Sequence, residues 1–202
     1  AAPDFESPTD SNGDNVYVLQ VTASDGSLSS AQTINVTVTN VNDPPVLDTS
    51  ASPALASINA GSGTPSGAVG TAVSSLVDLS GGAGLNNVTD ADSAAIGLAL
   101  TAVNATNGTW WFSLNNGGSW STVGAVSDTS ALLLSASTGR VYFQPNAGFS
   151  GTIANAITFR AWDTSSGTAG TKVTTAGAGA GSSAFSAASD TASEVVTPVA
   201  SV

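Results

Sequence analysis

Acidic side chains supply most of the chemistry this sequence can do, and they come in groups. Of 202 residues, 14 are Asp or Glu and three are basic, giving a formal net charge of −11. Asp4-Phe5-Glu6, Asp25, Asn42-Asp43, Asp90-Ala91-Asp92 and Asp163 all fall at turns or strand ends. A hard divalent cation such as Ca2+ takes six to eight oxygens from carboxylates, amides and backbone carbonyls. In Asp90-Ala91-Asp92 an extended or looped backbone aims both carboxylates at one ion. Gathering such groups without a cation costs several kcal/mol in repulsion and desolvation. A lone loop Asp is ordinarily a solvated turn residue. Five groups in a chain with only 8 % charged residues point instead to calcium.

The inventory excludes other chemistries. There is no His and no Cys, so a Ser-His or Cys-His nucleophile, a thiolate metal site and a disulfide framework are all ruled out. Glu6 and Glu194 are the only glutamates, which leaves little general acid–base capacity, and no enzyme activity is expected. The negative charge opposes nucleic acid and anionic membranes. No apolar run is long enough to span a membrane, and no membrane insertion is expected. The chain does not begin with Met, so it is expected to be a piece or product of a larger secreted protein.

The elements that must hold these residues read as strands. Val16, Val18 and Leu19 to Val21 lead to an Asp25-Gly26 turn, and Ile34, Val36 and Val38 alternate with polar residues. Asn42-Asp43-Pro44-Pro45 ends that run, because two prolines cannot donate ladder hydrogen bonds. Further strands are expected over 96–103, 109–114, 119–123, 131–134, 140–144, 157–162 and 192–199, and a short helix over 72–79. Asn115-Asn116-Gly117-Gly118 is a hairpin signal. The Gly/Ala/Ser tract 164–189 is expected to be a long mobile loop. Many short strands punctuated by Gly, Asn and Pro predict all-β sandwiches.

The chain also repeats itself. Val21-Thr22-Ala23-Ser24-Asp25 matches Phe159-Arg160-Ala161-Trp162-Asp163: a strand delivers an Ala-x-Asp step into a polar loop, and a last strand follows. The first copy holds about 45 residues, short of the roughly 100 that a sandwich needs. The expected division is 1–45, an incomplete repeat, and 46–202, a second repeat carrying the 164–189 loop.

Residues 21–30 followed by Ile34-Asn35-Val36-Thr37-Val38-Thr39-Asn40-Val41-Asn42-Asp43-Pro44-Pro45 resemble the C-terminal half of a cadherin repeat. The closest resemblance is to the cadherin-like repeats of large bacterial surface proteins and adhesins. It is strongest over 1–47 and weaker over 86–200. The resemblance implies tandem Greek-key β-sandwiches of cadherin or immunoglobulin type, the first incomplete. It also implies Ca2+ bound at the junction between repeats. Asp4 and Glu6 match the family's Asp-x-Glu motif, Asn42 and Asp43 its linker core, Asp90 and Asp92 its Asp-x-Asp pair, and Asp163 its Ala-x-Asp step. Asp25 would serve the junction to a preceding repeat. Asn40 and Pro44 stand where the linker motif has Asp and Asn, so two oxygens are lost or replaced.

The resulting expectation is a calcium-stiffened structural or adhesive repeat at a bacterial cell surface or outside the cell. Its partners would be neighbouring repeats, copies of itself, or surface glycans and proteins. One alternative is a filament subunit joined by strand complementation at the edge of the incomplete sandwich. Another is a carbohydrate-binding module using Trp111 and Trp120, which alternation turns away from the core side taken by Trp110, Phe112 and Leu114. Asp10-Ser11-Asn12-Gly13-Asp14 opens like an EF-hand loop, but the twelfth position is Val21, which cannot ligate.

Overall fold

The computed structural model describes residues 3–81, 84–92 and 95–199. The chain forms two compact units, Ala1–Val41 and Asn42–Val202. The division falls four residues before the expected one at Pro45. The reason is that Pro45 is buried in the second unit and the Asn42 side chain bonds to Asp163 there.

The first unit is a loop followed by one antiparallel hairpin, β1 (Val16–Ser24) and β2 (Ser29–Thr37), in unbroken register from Val16↔Thr37 to Ser24↔Ser29. Asp25 closes the turn, its Oδ1 accepting the amides of Ser27 at 2.9 Å and Leu28 at 2.8 Å. Alternation puts Tyr17, Leu19, Val21, Ile34 and Val36 on one face. Leu19 remains 52 % exposed and Val21 53 %.

The second unit is built from β3 (Val46–Leu47), β4 (Ile58–Asn59), β5 (Thr71–Ala72), β6 (Val88–Thr89), β7 (Gly97–Val103), β8 (Gly108–Ser113), β9 (Ser121–Thr122), β10 (Ala131–Ser135), β11 (Arg140–Pro145), β12 (Gly151–Trp162), β13 (Lys172–Val173) and β14 (Asp190–Thr197). A six-stranded sheet runs β13-β10-β7-β12-β14-β4 and a four-stranded one β5-β11-β8-β9, while β3 and β6 pair separately. The protein is thus nearly all-β, as its punctuation predicts. The 72–79 segment is a single 3-10 turn, Val73–Ser75, among buried Val73, Leu76 and Val77. Among the described residues no helix is long and apolar enough to cross a membrane.

The two larger sheets share one core. Leu98, Leu100, Leu132, Leu134, Ile157 and Phe159 from one meet Trp110, Val141 and Phe143 from the other. Burying each such side chain contributes about 1.5–3 kcal/mol. The β8–β9 turn follows the Asn115–Gly118 signal: Asn116 (φ 53°) and Gly117 (φ 93°) are both left-handed, as a tight hairpin requires. Ser137-Thr138-Gly139 carries the chain from one sheet to the other, since β10 and β11 belong to different sheets.

Tract 164–189, expected to be mobile, is tied down. Its β13 pairs with β10, the Thr175 amide donates to the Asp128 carbonyl at 2.7 Å, and the Ser186 hydroxyl accepts the Ala161 amide at 3.0 Å. Its Ala184 and Phe185 cover Trp162, Leu133, Ala99 and Ala131 in a second small core. This is why β7 is buried on both faces over Gly97–Thr101, with Leu98 and Leu100 turned into one core and Ala99 into the other. Glycines and small side chains let this segment turn tightly while one aromatic residue anchors it.

Candidate metal centre

Three local structures gather acidic residues at one corner of the second unit. First, β3 and β6 are antiparallel, with Val46 opposite Thr89. Carrying that register outward sets Pro45 beside Asp90, Pro44 beside Ala91 and Asp43 beside Asp92. The Asp43 amide indeed donates to Asp92 Oδ2 at 2.5 Å. Prolines at 44 and 45 end the ladder hydrogen bonds there but keep the backbone extended, so side chains take over the pairing. Second, Asp90 Oδ1 accepts the Asp92 amide at 2.9 Å, a local turn that folds the Asp-x-Asp pair back on itself. Third, β12 ends at Trp162, paired with Gly97 at the start of β7, and hands Asp163 to the same end of the sheet.

Asn42 ties these pieces together. Its Nδ2 donates to Asp163 Oδ2 at 2.8 Å, to the Asp43 carbonyl at 3.1 Å and to the Ser183 carbonyl at 3.4 Å. Adjacent linker residues therefore hold Asp163 and Asp92. Asp163 is 2 % exposed, and its Oδ1 accepts the Ser165 amide at 2.7 Å. Asp90, Asp92 and Asn42 are half-buried and Asp43 is exposed, so the corner has a buried floor and an open mouth. The three basic side chains bond elsewhere. Arg160 holds Asp128 at 3.3 Å, Arg140 reaches Asn116 at 2.9 Å and Lys172 donates to the Val123 carbonyl at 2.8 Å.

The donor set consists of carboxylate, amide and carbonyl oxygens, without nitrogen or sulfur ligands. That set fits a hard cation of the calcium type and is a poor fit for softer transition metals. In the second unit Asp43 and Asp92, joined by a hydrogen bond, offer carboxylate oxygens to such an ion, and Asn42, next to Asp43 in the chain, bonds to Asp163. Sequence reasoning did not foresee Ser183, which comes in from the Gly/Ala/Ser tract and whose type carries no ligand signal.

The other expected ligands, Asp4, Glu6 and Asp25, belong to the first unit. In the first unit Asp4 Oδ1 accepts the Glu6 amide at 3.1 Å, and both residues are exposed. Asp25 caps its own hairpin turn, and the Leu28 and Ser27 amides hold its carboxyl below the usual range. Asp10, read as the start of a broken EF-hand, accepts amides from Asn12 at 3.2 Å and Asn15 at 2.8 Å. Trp110 is 2 % exposed and packs on Phe143 with ring centroids 5.0 Å apart. Trp111 and Trp120 are half-buried on the outer face. Their indole N–H groups are already used, on Gln144 Oε1 at 3.1 Å and the Gly67 carbonyl at 3.2 Å.

Fold and site together define a nearly all-β protein with an oxygen-lined acidic corner. Comparison with protein-family models, with curated proteins and with solved structures finds no match for this chain.

Proposed function

We propose that this chain is a calcium-stiffened structural or adhesive repeat of an extracellular, cell-surface protein, built as tandem Greek-key sandwiches of cadherin type. The observation that carries the reading is the corner just described. Linker residues Asn42 and Asp43 bond to Asp163 and Asp92, which lie 121 and 49 residues away in sequence. A cation bound there fastens the linker's end to the body of the repeat. Binding only to the fastened state stabilises that state by mass action. Extracellular sites of this kind bind at about 0.1–1 mM, matched to millimolar calcium outside cells. Calorimetric titration with Ca2+, with Mg2+ as control, tests the reading. Saturable binding lost in Asp43→Ala or Asp92→Ala supports it, and the absence of calcium binding by the intact chain sinks it.

A second reading, assembly through β-complementation, rests on the hairpin. By internal repetition Leu19 and Val21 correspond to Ile157 and Phe159. The former are 52 % and 53 % exposed, whereas the latter are fully covered at 0 %. Neither β1 nor β2 carries a charge or a proline, the devices that normally blunt an edge. The same type of face that is core in one unit is open in the other. Sedimentation from micromolar to millimolar protein checks this. Self-association that Leu19→Asp abolishes supports assembly, and a wild type that stays monomeric throughout refutes it.

A further inference from the structure

Among the described residues Glu194 is the one acidic residue buried among apolar side chains rather than at a turn or corner. It is 1 % exposed, and its Oε1 has no hydrogen-bond partner. It sits on β14 between Ala192 and Val196, both core residues, and opposite Ile153 on β12. A carboxylate there lacks the solvation that water gives it, and burial of such a charge is strongly unfavourable.

The walls around it differ in strength. On one side β12 pairs with β14 from Gly151 to Phe159 across a bulge. On the other, β4 is a two-residue parallel strand and forms the edge of the sheet. Beside that two-residue ladder pairing, the Ala60 amide donates to the Thr197 carbonyl at 2.8 Å, and the Thr197 hydroxyl donates to Asn59 Oδ1 at 2.7 Å and to the Ile58 carbonyl at 3.2 Å. The cheapest route for water to an ionised Glu194 is through that edge.

We propose that Glu194 is a proton-operated latch on the β4 edge. Protonated, it is tolerated in the core and β4 stays paired. Ionised, it draws water in and releases β4, which exposes the edge of β14.

The neighbouring ionisable groups do not offset the charge. On β12, Arg160 is committed to Asp128 and to the Ser186 carbonyl, and β4 has no ionisable residue. On β11, Arg140 bonds to Val69 and Gly70, and the Tyr142 hydroxyl donates to the Gly63 carbonyl at 2.9 Å. Tyr142 feels Glu194 as a like charge, which adds to the burial that raises its own pKa. On β14 itself, Asp190 is half-buried and of the same sign. Desolvation raises the Glu194 carboxyl from 4.5 to about 7, only partly offset by the Val195 amide. Because the closed form holds the proton more tightly, closure is fully favoured below the ordinary glutamate pKa. That preference fades as pH rises through about 7. From Ile153 to Asp163 is about 30 Å along β12, so the latch is independent of the acidic corner.

Hydrogen exchange on the intact chain, corrected for intrinsic rates, tests this. Between about pH 6 and about pH 8.5, protection of the Ala60 amide should fall about tenfold in wild type and stay level in Glu194→Gln. Equal protection at both pH values, or the same fall in Glu194→Gln, overturns it. Should that variant fail to fold, carbon-13 label in the glutamate carboxyls of wild type decides, since Glu6 and Glu194 give just two signals. One carboxyl titrating near neutrality upholds the latch, and both titrating near the ordinary glutamate value refute it.

Discussion

Asp92→Asn separates calcium binding from mere structure at the acidic corner. Asp92 Oδ2 accepts the Asp43 amide at 2.5 Å, and an asparagine oxygen can accept the same bond. The substitution thus keeps the local geometry and removes one negative charge from a corner that also holds Asp43, Asp90 and Asp163. With a dissociation constant of about 0.3 mM, roughly 10 mM calcium stabilises the wild type by about 2 kcal/mol. For a body of this size that raises the melting temperature by about 4–8 °C. A tenfold weaker site in the variant lowers the gain to about 1 kcal/mol. In chelator the variant should be at least as stable as wild type, because one repulsive charge is gone. Differential scanning calorimetry with calcium and with chelator reads both numbers. The reasoning fails if calcium raises the two melting temperatures equally. It also fails if the variant loses stability in chelator, since Asp92 would then be a structural hydrogen-bond acceptor and nothing more.

Other outcomes follow from the same geometry. The cadherin resemblance assigns Glu6 to the ligand set, so Glu6→Gln should weaken calcium affinity in a calorimetric titration, and unchanged affinity removes Glu6 from that set. Trp110→Ala deletes a side chain 2 % exposed, its contact with Phe143 and its bond to the Asn104 carbonyl at 2.9 Å. It should cost about 3–5 kcal/mol in urea denaturation. Glu194→Gln should flatten stability against pH between about 4.5 and 7, a window over which the buried carboxyl removes roughly 3 kcal/mol as it ionises. Urea midpoints across that range check the slope.

Much of this protein is legible in its sequence, for reasons that are local. Period-two alternation writes out β1, β2 and β8, because successive side chains of a strand point to opposite faces. Asn115–Gly118 fixes its turn through left-handed backbone that Asn and Gly tolerate. The alternation of Ala192, Glu194 and Val196 already turned Glu194 inward, a signal that carried no weight until the burial of β14 was seen. The identity of the acidic residues at the corner is equally local, since only certain side chains offer hard oxygens.

Tertiary structure decided the rest. Two-residue strands such as β3, β4, β5, β6 and β13 have no period of their own and exist only because a neighbour pairs with them. Composition made tract 164–189 look mobile. A long-range contact, Phe185 against Trp162, fixes it and buries the far face of β7. Antiparallel register between β3 and β6 brings Asp43 to Asp92, and the end of β12 brings Asp163 to Asn42. Sequence sets which oxygens exist, because side-chain chemistry is a property of the residue. Which of them meet is set by strand pairing between distant segments, and no local rule encodes that.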